Sequence, residues 1–371
     1  MRLLKLNPEI HKFRSFKEFA EDFNLGKDDF ILTHEVIFDS FIKELNLQAD
    51  FIFQEKYGAE PSDEMINQII SDQKNNKYKR IVAIGGGSVI DIAKILALKD
   101  VRDSLEIFDK KAPIIKDKEL IIVPTTCGTG SEVTNISIAE IKSRQTKMGL
   151  AVDELYAEHA VLIPELLYGL PYKFFLYSSI DALIHAVESY LSPKSNSYTE
   201  MYAAEAIRII IEGYKQIIDK GQNHSKSLIE DFLVASNYAG IAFGNAGVGA
   251  VHALSYPLGG VYHVAHGEAN YQFFIEVFRV YNTKSPNGKI EKLKRLIAEN
   301  LSITLDDNVF EELEKVLNKL IEKNKLSSYG MKIEEIELFT DGVIEKQQRL
   351  LVNNYVALTR DDILNIYKKL Y

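Results

Sequence analysis

Cysteine, net positive charge and long apolar runs are what this chain lacks. There is one cysteine, Cys127, among 371 residues. No internal disulfide can form, and a reducing cytoplasm is the expected location. Acidic side chains outnumber basic ones, 53 to 44, giving a formal net charge of −9 and an isoelectric point near 5.5. No polybasic surface is expected from that balance, so neither nucleic acid nor an anionic membrane is expected as a partner. No stretch reaches the ~20 apolar residues that a membrane span requires. The opening MRLLKLNPEIHKFRSF has no apolar run followed by small residues, so no secretory signal is expected. Repeats and low-complexity tracts are absent too.

What is present is an ordinary globular composition, 46% apolar and 26% charged. The length exceeds one compact core and predicts two domains. In the first half, short apolar runs alternate with helical patterns. DFILT (29–33), DFIFQE (50–55), RIVAI (80–84) and ELIIVP (119–124) read as strands, and PSDEMINQIISDQ (61–73) as a helix begun by its proline. Shorter strands are expected within 135–162. This rhythm predicts a parallel sheet covered on both faces. From Tyr172 onward the periodicity is almost only helical, beginning with 173–192, 197–219 and 226–243. The expected organisation is an α/β domain over 1–168 and an all-α domain over 169–371, with the site in the cleft between them.

IVAIGGGSVIDIAK (81–94) sets three glycines between the third of these strands and a helix. Glycine lets the backbone turn tightly and approach a phosphate, and a helix start offers free amides to an anion. Ser88 is the expected N-cap, with Asp91 completing a capping-box-like pair. The run is not a G-x-G-x-x-G fingerprint, so an ordinary Rossmann domain is the wrong template. A second loop, PTTCGTGSEVT (124–134), leaves the same edge of the sheet and carries hydroxyls that suit phosphate, ribose or carboxamide groups. Cys127 within it reads as a small filler rather than a nucleophile.

Histidines concentrate in VHALSYPLGGVYHVAHGEAN (251–270), which holds three of the eight. His252 is expected on a helix that Pro257 helps to end, and His266 to open the next helix after a turn containing Gly259 and Gly260. Upstream, SSIDALIHAVESY (178–190) reads as an amphipathic helix that places Asp181 and His185 one turn apart on one face. Asp181, His185, His252 and His266 together make a four-ligand metal set. Their chemistry suits Fe²⁺ or Zn²⁺ without separating the two.

GGGSVIDIAK, PTTCGTGSEVT, DALIHAVESY and VHALSYPLGGVYHVAHG resemble, in order and spacing, the motifs of the iron-containing (group III) alcohol dehydrogenases, over nearly the whole chain. The resemblance implies a dehydroquinate synthase-like fold, with an α/β NAD(P)-binding domain and an all-α metal-binding domain. It also implies a metal-dependent oxidoreductase. By motif, Asp181, His185, His252 and His266 would hold the metal, and Gly85, Gly86, Gly87 and Ser88 the pyrophosphate. Thr125, Thr126, Thr129 and Ser131 would line the cofactor, and Lys147 would lie near the nicotinamide ribose. The family members most similar overall interconvert 4-hydroxybutanoate and succinate semialdehyde, which implies a small hydroxy acid or aldehyde as substrate. Alternatives are an uncharged short-chain alcohol, a dehydroquinate synthase-like lyase, and a non-catalytic NAD-binding scaffold. Resemblance also implies a homo-oligomer, a dimer or larger.

Two positions depart from the family pattern. Tyr256 stands where many members have a second histidine. A phenol carries protons less readily than an imidazole at neutral pH, so the proton path could run through Tyr256 or His263. His34 stands where an aspartate often binds the adenosine ribose, and Glu35 could replace that carboxylate. NAD is therefore expected ahead of NADP. For the substrate carboxylate, the candidate partners are His263, Tyr256 and Arg144.

Overall fold

Eight strands and a long series of helices follow one another in this computed structural model, which describes residues 2–58, 60–73, 78–144, 146–306 and 308–371. The strands are β1 (Glu9–Lys12), β2 (Asp29–Thr33), β3 (Asp50–Phe53), β4 (Arg80–Gly85), β5 (Glu119–Pro124), β6 (Ile136–Ile141), β7 (Thr146–Ala151) and β8 (His159–Leu162). The chain forms two compact units. One is Leu6–Gly169. The other is Leu170–Tyr371, joined by residues 2–5.

In the first unit a six-stranded sheet runs β1-β8-β5-β4-β2-β3, every pair parallel. β2, β4 and β5 are buried at nearly every position. That is why they read as unbroken apolar runs: helices and loops cover both faces of a parallel sheet. Each fully buried Ile or Val of β4 contributes about 1.5–3 kcal/mol by leaving water. β6 and β7 form a separate antiparallel pair. β1 is a strand that sequence reading passes over, because EIHK at the sheet edge stays largely exposed. The glycine run therefore follows the fourth strand rather than the third.

Other local expectations fail for physical reasons. Pro61 precedes the helix Asp63–Asp72, whose N-cap is Ser62 accepting from Met65 N. The run after β2, whose apolar Val36, Ile37, Phe41 and Leu45 have the spacing of a helix, is one α-turn (Glu35–Ile37), a π-turn (Phe38–Ile42) and a 3₁₀ turn (Lys43–Leu45), not a regular helix.

The second unit is helical. The helices Tyr172–Leu191, Ser197–Lys220 and Ile229–Ala246 pack on one another, and His266–Lys284 packs on both Tyr172–Leu191 and Ala250–Tyr262. Asn196 starts the second of these with a capping box shared with Thr199. The Tyr172–Leu191 helix is not amphipathic as expected. From Phe175 onward it is buried on almost all sides, because neighbouring helices surround it. Among the described residues, no helix is long and apolar enough to cross a membrane.

Candidate metal and cofactor sites

Three helices bring Asp181, His185, His252 and His266 together. Asp181 and His185 lie one turn apart in Tyr172–Leu191, His252 near the start of Ala250–Tyr262, and His266 is the first residue of His266–Lys284. One donor atom from each lies within 4.8 Å of the others. Asp181 Oδ1 is 3.8 Å from His252 Nε2 and 3.9 Å from His266 Nε2, and Asp181 Oδ2 is 4.0 Å from His185 Nδ1. The His185 ring is stacked between Phe243, at 4.2 Å, and His252, at 4.7 Å. Burial would raise the Asp181 carboxyl pKa. The three imidazoles and a hydrogen bond from Asn270 outweigh it and hold the group below its ordinary range.

Gly267 is what lets the His266 helix come this close. A Cβ there would stand 2.3 Å from the Tyr177 carbonyl oxygen and 3.3 Å from Asp181 Cβ. Two expectations about the intervening segment are corrected. Pro257 lies inside the Ala250–Tyr262 helix and does not end it, and Gly259 and Gly260 are helical rather than a turn. The missing proline N–H removes one ladder bond, but packing of the helix's buried face keeps it continuous. The helix ends instead at His263, in the left-handed conformation at φ 53°.

Two neighbours of the cluster escaped the sequence reading. The Glu188 carboxylate accepts from Val251 N at 2.7 Å and meets His252 Nδ1 at 2.6 Å. Asn270 Nδ2 donates to Asp181 Oδ1 at 2.7 Å. Spacing could have flagged both, since Glu188 follows His185 by three residues and Asn270 follows His266 by four. Glu188 puts the His252 proton on Nδ1, which leaves the Nε2 lone pair facing the cluster. That Nε2 is buried and makes no hydrogen bond among the described residues. A buried nitrogen without a partner, its tautomer set by a carboxylate, fits a metal ligand. A carboxylate and three imidazoles could hold Fe²⁺ or Zn²⁺.

Glu188→Gln should therefore weaken metal binding about 10- to 100-fold. A glutamine can accept from only one of the two donors that the carboxylate satisfies. Chelator competition on the purified variant checks this, and an affinity equal to the unmodified protein's would count against it.

The glycine run and the hydroxyl-bearing loop belong to the other unit. β4 and β5 are register neighbours, with Gly85 opposite Pro124, and Thr125 N donates to Gly85 O at 3.0 Å. Both loops therefore leave the sheet together. A Cβ on Gly86 would lie 3.4 Å from Thr126 Cγ2, and one on Gly87 3.1 Å from Thr129 Cγ2. Ser88 is not the N-cap. The helix is Gly87–Leu96, Gly86 occupies the cap, and among the described residues the cap makes no side-chain hydrogen bond. An uncapped helix start lined by glycines fits an anionic pyrophosphate.

Asp91, freed from capping, holds the second loop instead. Its carboxylate accepts from Ser131 Oγ at 3.1 Å and Ile138 N at 3.1 Å. Lys94, fully buried, donates to Ser131 Oγ (2.9 Å), Thr134 Oγ1 (3.2 Å) and Ile136 O (2.7 Å). Desolvation pushes Asp91 up to about 6 and Lys94 down to about 8, each opposed by the other's charge. The Ser131 hydroxyl thus bridges the two charged groups.

The remaining candidates divide. Tyr256 lies one turn past His252, its ring 6.5 Å from that of His266. His263 is exposed at the helix end. Arg144 pairs with Asp109, at 2.7 and 2.6 Å. Lys147 Nζ pairs with Glu60 at 2.5 Å. At the end of β2, Glu55 accepts from Glu35 N at 2.6 Å and meets His34 Nδ1 at 3.0 Å. The Glu35 side chain is exposed.

The chain is similar to known proteins along its length. A family described as iron-containing alcohol dehydrogenase matches residues 10–164, and the C-terminal part of the Fe-containing alcohol dehydrogenase family matches residues 175–371. The chain is 59% identical over 372 aligned positions to a 4-hydroxybutyrate dehydrogenase of Clostridium kluyveri, covering 100% of both chains. It is 32% identical to long-chain-alcohol dehydrogenase 1 of Geobacillus thermodenitrificans, covering 83% of this chain and 79% of that one. A crystal structure of sulfoacetaldehyde reductase from Bifidobacterium kashiwanohense in complex with NAD+ shares the fold. Its TM-score is 0.86 at 22% identity, covering 100% of this chain and 99% of that one. Matched over both of its units, the chain belongs to the iron-containing alcohol dehydrogenase family.

Proposed function

We propose that the protein interconverts 4-hydroxybutanoate and succinate semialdehyde with NAD⁺ and NADH, using Fe²⁺, with Zn²⁺ as the alternative, held by Asp181, His185, His252 and His266. The chemistry rests on that cluster, above all on the buried His252 Nε2, which makes no hydrogen bond among the described residues. The substrate rests on the full-length 59% identity to the Clostridium kluyveri enzyme.

The bound ion supplies Lewis acidity to the substrate oxygen, and the nicotinamide supplies the hydride chemistry. Oxidation removes a hydride from the alcohol carbon and a proton from its oxygen, leaving the aldehyde. Asp181 and the three imidazoles hold the ion, Glu188 orients His252, and Asn270 orients Asp181. Gly85, Gly86, Gly87 and Ser88 receive the pyrophosphate on backbone amides. Thr125, Thr126, Thr129 and Ser131 shape the adjoining wall, and Lys147 faces the ribose. Glu35 is the proposed ribose ligand, which favours NAD over NADP. The proton leaves through Tyr256, beside His266 in the fold, or through the exposed His263. With Arg144 engaged by Asp109, His263 and Tyr256 are also the proposed contacts of the substrate carboxylate. A homo-oligomer in a reducing cytoplasm, acting on small molecules and not on nucleic acid or membranes, completes this reading.

Fe²⁺-loaded protein should show a kcat/KM for succinate semialdehyde roughly ten- to a hundredfold above that for butanal. A hydrogen bond to a charged group is worth about 1.5–3 kcal/mol. NADH oxidation under anaerobic conditions measures both. Equal values would transfer the proposal to an uncharged alcohol, the kind of substrate named for the Geobacillus relative.

A further inference from the structure

The Leu6–Gly169 unit carries a second set of metal-type donors. Glu9 and His11 are two residues apart on β1 and so share one face of the strand. His159 on the neighbouring β8 is the register partner of Glu9. His11 Nε2 and His159 Nδ1 are 3.0 Å apart, and Glu9 Oε2 is 3.6 Å from the first and 3.8 Å from the second. An ion with bonds of about 2.0–2.2 Å to nitrogen and carboxylate oxygen holds adjacent ligand atoms about 3–3.5 Å apart. All three separations come within a few tenths of an ångström of that range.

The surroundings are built for the same purpose. His159 Nε2 faces Glu119 Oε1 at 3.6 Å. That carboxylate stands on the far side of the ring from Nδ1, the nitrogen that faces the cluster. Both imidazoles stand edge-on to Phe23 at 5.2 Å, which fixes their planes.

We infer that Glu9, His11 and His159 form a second site for a divalent transition ion of the Zn²⁺ or Cu²⁺ type, separate from the Asp181 cluster. Imidazole and carboxylate donors select such ions over Mg²⁺ or Ca²⁺. Its consequence is structural: the ion joins the edge strand β1 to β8, the strand with which it pairs among the described residues. An edge strand of four residues has few other restraints.

Equilibrium dialysis of the metal-stripped full-length protein against Zn²⁺ tests this. The unmodified chain should bind two ions. His11→Gln/His159→Gln should bind one and keep its turnover of succinate semialdehyde. His266→Ala should also bind one, and in that variant Zn²⁺ should slow amide exchange in β1 at least tenfold. Glu9→Gln, at an exposed side chain that folding does not need, should weaken the second site at least tenfold. One ion on the unmodified chain, or two on His11→Gln/His159→Gln, would overturn the inference. If His266→Ala still bound two ions, the catalytic-metal reading would fail instead, leaving this one standing.

Discussion

His266→Ala should lose its metal and its activity together, with kcat/KM for succinate semialdehyde falling by about 10³-fold or more. Lewis-acid stabilisation of a developing charge is worth several kcal/mol, and each ~1.4 kcal/mol is a factor of ten in rate. His266 is the most informative of the four positions. His185 and His252 are buried, and His252 also satisfies Glu188, so removing either disturbs packing and leaves polar groups unpaired. The His266 side chain is 38% exposed at the first position of its helix, where truncation leaves the fold intact. Metal content, steady-state NADH oxidation and the thermal midpoint, measured on one preparation, separate these effects. A metal-free His266→Ala protein with activity near that of the unmodified chain would sink the ligand assignment.

The second large effect concerns stability and the cofactor loop. Lys94→Met should destabilise the protein by about 3–5 kcal/mol, the range for breaking a buried charge pair from one side. Lys94 is fully buried and joins the Gly87–Leu96 helix to Ser131, Thr134 and Ile136 through three hydrogen bonds. Its loss leaves Asp91 without the opposing charge that keeps its pKa from rising further. Because the same residues shape the wall beside the glycine run, NADH binding should weaken as well. Asp91→Asn combined with Lys94→Met should recover part of the stability, since the lone charge is then gone. Urea unfolding of both variants gives the comparison. A Lys94→Met midpoint unchanged from that of the intact protein would show that the pair carries no such weight.

Local sequence determined a good deal of this protein. β2, β4 and β5 were legible because a strand buried on both faces must be apolar throughout. The glycines after β4 were legible because they let two loops approach closely, a Cβ on Gly87 meeting Thr129 Cγ2 at 3.1 Å. Asp181 and His185 were legible as a pair because 3.6 residues per turn sets i and i+4 on one face. His252 and His266 could be nominated by residue type, but not their convergence on Asp181, which lies 71 and 85 positions away.

Tertiary structure decided the rest, for the same reason each time: the deciding partner is distant in sequence. Ser88 is a good N-cap by local chemistry, yet Gly86 takes the cap and Asp91 turns to Ser131 and Ile138, some 40 residues on. Pro257 is a helix breaker by local chemistry, yet the surrounding helices hold it inside one. Glu188 reads as one more helical acid until the start of another helix places His252 and the Val251 amide on its two oxygens. β1 carries no apolar pattern of its own and becomes a strand only because β8 offers it an edge. Periodicity and glycine placement act over a few residues and are written there. Hydrogen-bond partners and metal-ligand geometry form across the fold, and only the packed chain specifies them.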